Sequence, residues 1–237
     1  MDESKVTRYA TENYVDENIP PLDGYANKNN PVFTGSISLG RKEGTTVGGN
    51  SFAVGEDVEA SGYQSHAEGG FTVASGDYSH TEGDTVKASG DYSHAEGGNT
   101  TASGDFSHAE GYSTTASGGG SHAEGTTTTA SGGGSHAEGA YTKASSIYQH
   151  VQGIYNIEDA AKKYAHIVGN GKYDTTNNKE VRSNAHTLDW EGNAWYAGKL
   201  SQEGTPTENK DLVTKKYVDD MVGDIQNTLN TIIGGGQ

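Results

Sequence analysis

SHAEGGNTTASGDF, residues 93–106, is one turn of a repeat, and its reading decides the fold. The pentad SHAEG or SHTEG starts at Ser65, Ser79, Ser93, Ser107, Ser121 and Ser135, and a decayed copy, QHVQG, starts at Gln149. The step is 14 residues throughout. A copy without His, SFAVG, opens the series at Ser51. Ala-Ser-Gly recurs in phase at Ala60, Ala74, Ala88, Ala102, Ala116 and Ala130, and ends as ASS at Ala144. Self-similarity at a fixed period is the mark of a solenoid, in which residues of one phase stack on one another.

Composition alone argues the other way. Leu, Ile, Val and Phe supply only 33 of 237 residues and the net charge is -16, a combination typical of disordered chains. A disordered chain has no reason to hold Ala, Gly and Ser in exact phase, so the period outweighs the composition. With no Cys, neither a disulfide framework nor a Cys-based zinc site is available. No stretch approaches the ~18 apolar residues of a membrane span, so no membrane insertion is expected. Sixteen Lys and Arg against 32 Asp and Glu suit no nucleic-acid backbone, and no nucleic-acid partner is expected.

Side chains alternate between the two faces of a strand. Ser93, Ala95 and Gly97 then share a small interior face, and His94 and Glu96 point outward. In the second half-turn Thr100, Ala102 and Gly104 face inward; the equivalents of Thr100 are Val58, Thr72, Val86, Thr114, Thr128 and Thr142, all β-branched. Two short strands per turn with Gly-containing corners make a narrow parallel β-roll. Filled by Ser, Ala, Thr and Gly, it buries little apolar area and needs further support, most economically another copy of itself.

The outward face says where that copy sits. Position 57 and its equivalents vary freely: Asp57, Phe71, Thr85, Asn99, Ser113, Thr127, Tyr141. By contrast His66, His80, His94, His108, His122, His136 and His150 never change. Glu68, Glu82, Glu96, Glu110, Glu124 and Glu138 give way only at the decayed end. An outward face that does not drift reads as an interface.

The founding turn, Asn50-Ser51-Phe52-Ala53-Val54-Gly55 followed by Glu59-Ala60-Ser61-Gly62, resembles the NSVAIG…AxG repeat of YadA-like heads in trimeric autotransporter adhesins. The resemblance covers about residues 45–153. It implies a left-handed parallel β-roll, three of which pack around a common axis. His and Glu here replace most of the apolar pair, and the expectation is that they face the threefold axis in rings of His–Glu hydrogen bonds between chains.

Two chemical readings compete for the same ladder. His and Glu two residues apart on a strand can converge on one ion, and three symmetry-related His can meet on an axis. Structural zinc sites occur singly, however, so pairing is preferred and neither metal nor cofactor is assigned. Catalysis has little support, because an active site needs one distinctive constellation and these copies are identical. No enzyme is expected.

Beyond the repeat, YAHIVGNGKYD and SNAHTLDWEGNAWYAGKL read as short strands, with Trp190, Trp195 and Tyr196 as a small core or, alternatively, a ligand platform. Asn209 can cap a helix. On it Val218, Val222, Ile225, Leu229 and Ile232 step by 4, 3, 4 and 3, a heptad seam for a coiled coil. T-x-x-Y-V-D at Thr11–Asp16 and again at Thr214–Asp219, with YANK and NPVFTG at Tyr25–Gly35, resembles short segments of phage fibre proteins. HTLDWEGNAWYAG at 186–198 is similar to stretches in phage structural proteins of Firmicutes. The first residues carry neither basic n-region nor apolar h-region. Neither a secretory signal nor a C-terminal membrane barrel is recognised, so the expected location is a virion surface, or outside the cell when released.

The expected organisation is an attachment segment over 1–44, a YadA-like β-roll over 45–153, a small β domain over 154–206 and a trimeric coiled coil over 207–237. The expected function is that of a homotrimeric structural fibre of a phage or phage-like particle. Its partners are other virion proteins and a cell-surface glycan or protein receptor. Outward contacts fall to Phe71, Tyr141 and the partial ladder Tyr78, Tyr92, Phe106 and Tyr148, unless these rings merely cover the roll. A cell-surface trimeric adhesin head and an autocleaving or glycan-degrading fibre stay open as alternatives.

Overall fold

A side chain that is small every second residue lets two sheets approach closely, and the backbone is built on that. The computed structural model describes residues 36–198 and 215–234. The expected attachment segment up to residue 35, the cap at Asn209 and the start of each T-x-x-Y-V-D copy lie outside the described residues. Each turn contributes one strand to a His-bearing sheet and one to a Thr-bearing sheet, as in His66–Gly70 followed by Val73–Ala74. Successive turns pair in parallel and in register: His66 with His80, His80 with His94, Thr101 with Thr115. A mainly β, parallel solenoid with a 14-residue repeat results, followed by a helix.

The interior holds one residue from each sheet, Ala in all but a few turns (Thr81 is one exception), and one β-branched residue per turn. Ala95, Ala102, Ala109 and Ala116 are buried, as are Val58, Val86 and Thr100, and the pentad serines lie beside them. Ser79, Ser93 and Ser107 each donate to the carbonyl of the Gly three residues earlier, at 2.6 Å, which satisfies their buried hydroxyls. Thr72, Thr100, Thr114 and Thr128 find no partner for theirs among the described residues. Val already occupies this position at 58 and 86. Thr114→Val should therefore stabilise the roll by about 1 kcal/mol, read as a higher urea midpoint, because it removes an unsatisfied buried hydroxyl at constant shape.

Simple alternation fails at one place. Gly97 was expected inside with Ser93 and Ala95, yet it is exposed. Its φ of 101° breaks the pleat, so the outward and inward faces reset between Glu96 and Thr100. Two further corners per turn are left-handed although most carry side chains: Phe71, Thr85, Asn99 and Tyr141 at one, Tyr78, Tyr92, Phe106 and Tyr148 at the other, with φ between 55° and 58°. Each corner amide is held by the preceding turn, as in Tyr92 N to Asp77 O and Thr85 N to Gly70 O, both 2.8 Å.

The parallel ladder overruns both boundaries drawn from the repeat. Ile37–Leu39 pairs with Phe52–Val54, which makes Ser36-Ile37-Ser38-Leu39-Gly40 a further turn. At the other end His150–Ile154 pairs with His166–Asn170 across a 16-residue step. Only then does the chain reverse, into antiparallel strands Asn184–Asp189 and Ala194–Tyr196. Trp190, Trp195 and Tyr196 are exposed there rather than forming a core; Ile167 and Val151, stacked on the alanine column, do that instead.

A solenoid must also end its hydrogen-bond ladder. Turn after turn, the Thr sheet sends its N–H groups to carbonyls of the following turn, as in Thr129 N to Thr142 O. At the last turn side chains supply the acceptors. Asn156, fully buried, takes the Lys143 N–H at 2.8 Å and donates to Lys143 O. Gln149, also buried, takes Ser145 N–H at 2.9 Å and donates to Asp159 and Tyr164. Asn156→Ala strands those groups and should cost about 2 kcal/mol or more in chemical denaturation.

The helix, α1 (Lys215–Gly234), has no acidic residue in its first turn and no basic residue in its last. It also carries Gly223 in its middle. Neither the dipole nor propensity favours it alone.

Candidate functional site

Strand alternation aims every pentad His to one side, and the strand spacing of about 4.8 Å is close to that of stacked rings. The imidazoles from His66 to His150 accordingly stack, with centroids 4.5–4.9 Å apart and planes within 13° of parallel. His166 and His186 continue the column at 5.2 and 5.5 Å, so all nine histidines of the chain stand in one line. Phe52 closes it edge-on at one end, and Tyr196, tilted on His186, closes the other. The sequence period revealed seven of these; the last two were hidden by the longer step and the chain reversal, although His166-Ile167-Val168-Gly169 echoes His150-Val151-Gln152-Gly153.

Glutamates flank the column, half-buried like the rings. His122 bonds Glu110, His136 bonds Glu124 and His150 bonds Glu138, each Nε2···Oε1 at 3.1 Å. An ionised carboxylate only accepts, so these rings donate from Nε2. The partners belong to the preceding turn of the same chain, whereas the expectation had such bonds crossing between chains. In the early turns the geometry loosens: His108 lies 3.6 Å from Glu96, and His66 lies 3.4 Å from Glu68 of its own turn. The Nε2 atoms of His80 and His94 are shielded and unpartnered among the described residues.

Burial, and secondly the next ring in the stack, hold His66, His80 and His94 below the ordinary imidazole pKa, against the pull of the neighbouring glutamates. His166 is lowered in the same way, by burial and then by His150 and His186.

The six expected receptor contacts all lie at left-handed corners. Phe71, Tyr78, Tyr92, Phe106 and Tyr148 are exposed, and Tyr141 is partly covered by stacking on Tyr155 at 4.4 Å. Tyr78, Tyr92 and Phe106 stack at 4.7 and 5.1 Å, and Phe106, whose next corner is Gly120, is the most exposed of the three. Phe71 and Tyr141 are on the other corner, so the six form two rows rather than one patch.

The expected helical seam is a second candidate surface. Val218, Val222, Ile225, Leu229 and Ile232 are 44–72% exposed on α1. A scan of the chain against protein-family models gives no match, and a search of curated proteins gives none either.

Proposed function

We propose that the chain is a structural, homotrimeric fibre of a phage or phage-like particle, whose β-roll is displayed for attachment to a cell-surface glycan or protein. The observation that carries this reading is the exposed apolar seam of α1. A 20-residue helix with unfavourable ends is marginal in water, and one that also leaves five heptad-spaced apolar residues uncovered needs other helices against it. The unvarying His–Glu face of the roll supports the same assembly, since a merely solvated face drifts as position 57 and its equivalents do. The left-handed coil, the threefold axis and the particle follow from the resemblance to YadA-like heads and phage fibres.

In this reading the roll is a spacer whose alanine core and laddered backbone transmit load, and the aromatic corners are its outward contacts. The chain does no chemistry of its own. Light scattering on a sizing column tests the assembly: a mass of three times 24.8 kDa is expected at neutral pH. Ile225→Asp, which places a charge in the seam, should shift that mass downward while the roll keeps its β circular dichroism. A monomer in both cases sinks the fibre reading. Adhesion is then checked with the trimer on whole bacterial cells, where Phe106→Ala with Tyr92→Ala is expected to lower retention.

A further inference from the structure

Three groups along the column bring nitrogen and oxygen donors together without sharing a residue. His108, Glu110 and His122 form one; Glu68, His80 and Glu82 form a second; Glu124, His136 and Glu138 form the third. In each, one donor atom per residue lies within 4.8 Å of the other two. We propose that these three groups bind divalent transition-metal ions of the zinc type, one ion each, and that every ion clamps two successive turns together.

The donor set fits such an ion. Imidazole nitrogen and carboxylate oxygen bind zinc at about 2.0–2.2 Å, which puts neighbouring donors of a tetrahedral ion roughly 3.4 Å apart. Glu110 Oε1 and His122 Nε2 are already 3.1 Å apart, so the ion takes the place of the proton they share. The third donor closes in by rotation of half-exposed side chains, and water completes the shell. Calcium and magnesium, which want several oxygens and no imidazole, are poorly served.

Each group spans a turn boundary: His108 and Glu110 sit on one turn and His122 on the next. Residues from different turns are brought together only by folding. The ion therefore favours the folded roll and raises its melting temperature with concentration. This inference needs no trimer, since each group lies within one chain. It also differs from a structural zinc centre, because the roll folds on its backbone ladder and the ions add to it.

Zinc chloride alone, titrated into the intact chain by calorimetry and equilibrium dialysis at neutral pH, tests it. Three ions per chain are expected, with dissociation constants on the order of 10 µM, and a melting temperature that rises with zinc and returns with a chelator. Glu110→Gln, which keeps the side-chain shape, should weaken one site at least tenfold, and His122→Ala should reduce the count to two. His94→Ala, outside all three groups, should leave it at three. A count unaffected by Glu110→Gln and His122→Ala, or no retained zinc at 100 µM (about ten times that constant), overturns the proposal. Sizing with and without zinc reports the oligomeric state separately, so a monomer that still binds three ions contradicts only the trimer.

Discussion

Gly97→Ala is expected to cost the roll more than about 3 kcal/mol, while Gly120→Ala costs about 1 kcal/mol. Both glycines have positive φ, 101° and 65°. What separates them is the next turn. A Cβ on Gly97 would come within 2.2 Å of the Gly111 carbonyl oxygen and 3.1 Å of its carbon and nitrogen. That oxygen accepts the Gly98 N–H at 2.9 Å, so moving it breaks the inter-turn bond that keeps the two turns in register. Nothing lies within 4 Å of a Cβ on Gly120, and Tyr78, Tyr92 and Phe106 occupy the equivalent corner. Because each turn touches only its neighbours, a fault at Gly97 severs the stack in its middle rather than fraying an end. Urea denaturation followed by circular dichroism compares the two variants. Equal losses would show that backbone conformation alone, and not close approach, demands glycine at position 97.

The period was legible because it is imposed by contact between identical positions. Ala at 95, 109, 123 and 137 and Gly at 97, 111, 125 and 139 recur because each is pressed against its own copy one turn away. The corners were not legible. Tyr, Phe and Thr have no preference for left-handed backbone, and only Asn50, Asp57, Asn99, Gly120 and Gly134 hint at it. Where contacts stop being self-to-self, the period stops too: Ile37–Leu39 and His166–Gly169 belong to the ladder but lie at 15- and 16-residue steps. The outward His face was found for the right geometric reason, strand alternation. The stacking of the rings follows from the same period, because a rise of about 4.8 Å per turn makes successive rings neighbours.

Acid should loosen the roll well before the carboxylates titrate. In the folded chain His66, His80, His94 and His166 lie below their ordinary value of 6.5. The unfolded chain therefore binds more protons in the window that opens near pH 6.5 and extends downward through the lowered folded values. Stability falls as pH falls across it, and is complete above it. Burial is the first cause and repulsion from the next ring the second. Two protonated rings 4.7 Å apart repel by about 1 kcal/mol in the water-like limit suited to half-exposed groups. A column can first charge alternate rings at little cost; filling the remaining positions sets every charge between two others. The glutamates pull His66, His80 and His94 the other way but do not outweigh burial and the next ring, so loosening begins at these early turns. The urea midpoint is expected to drop steadily from pH 7.5 to pH 5, and His94→Asn, which interrupts the stack, should flatten the slope. A midpoint that holds constant over that range contradicts the argument. One that rises shows that His–Glu attraction outweighs both burial and ring repulsion, and the column is then a set of ion pairs before it is a stack.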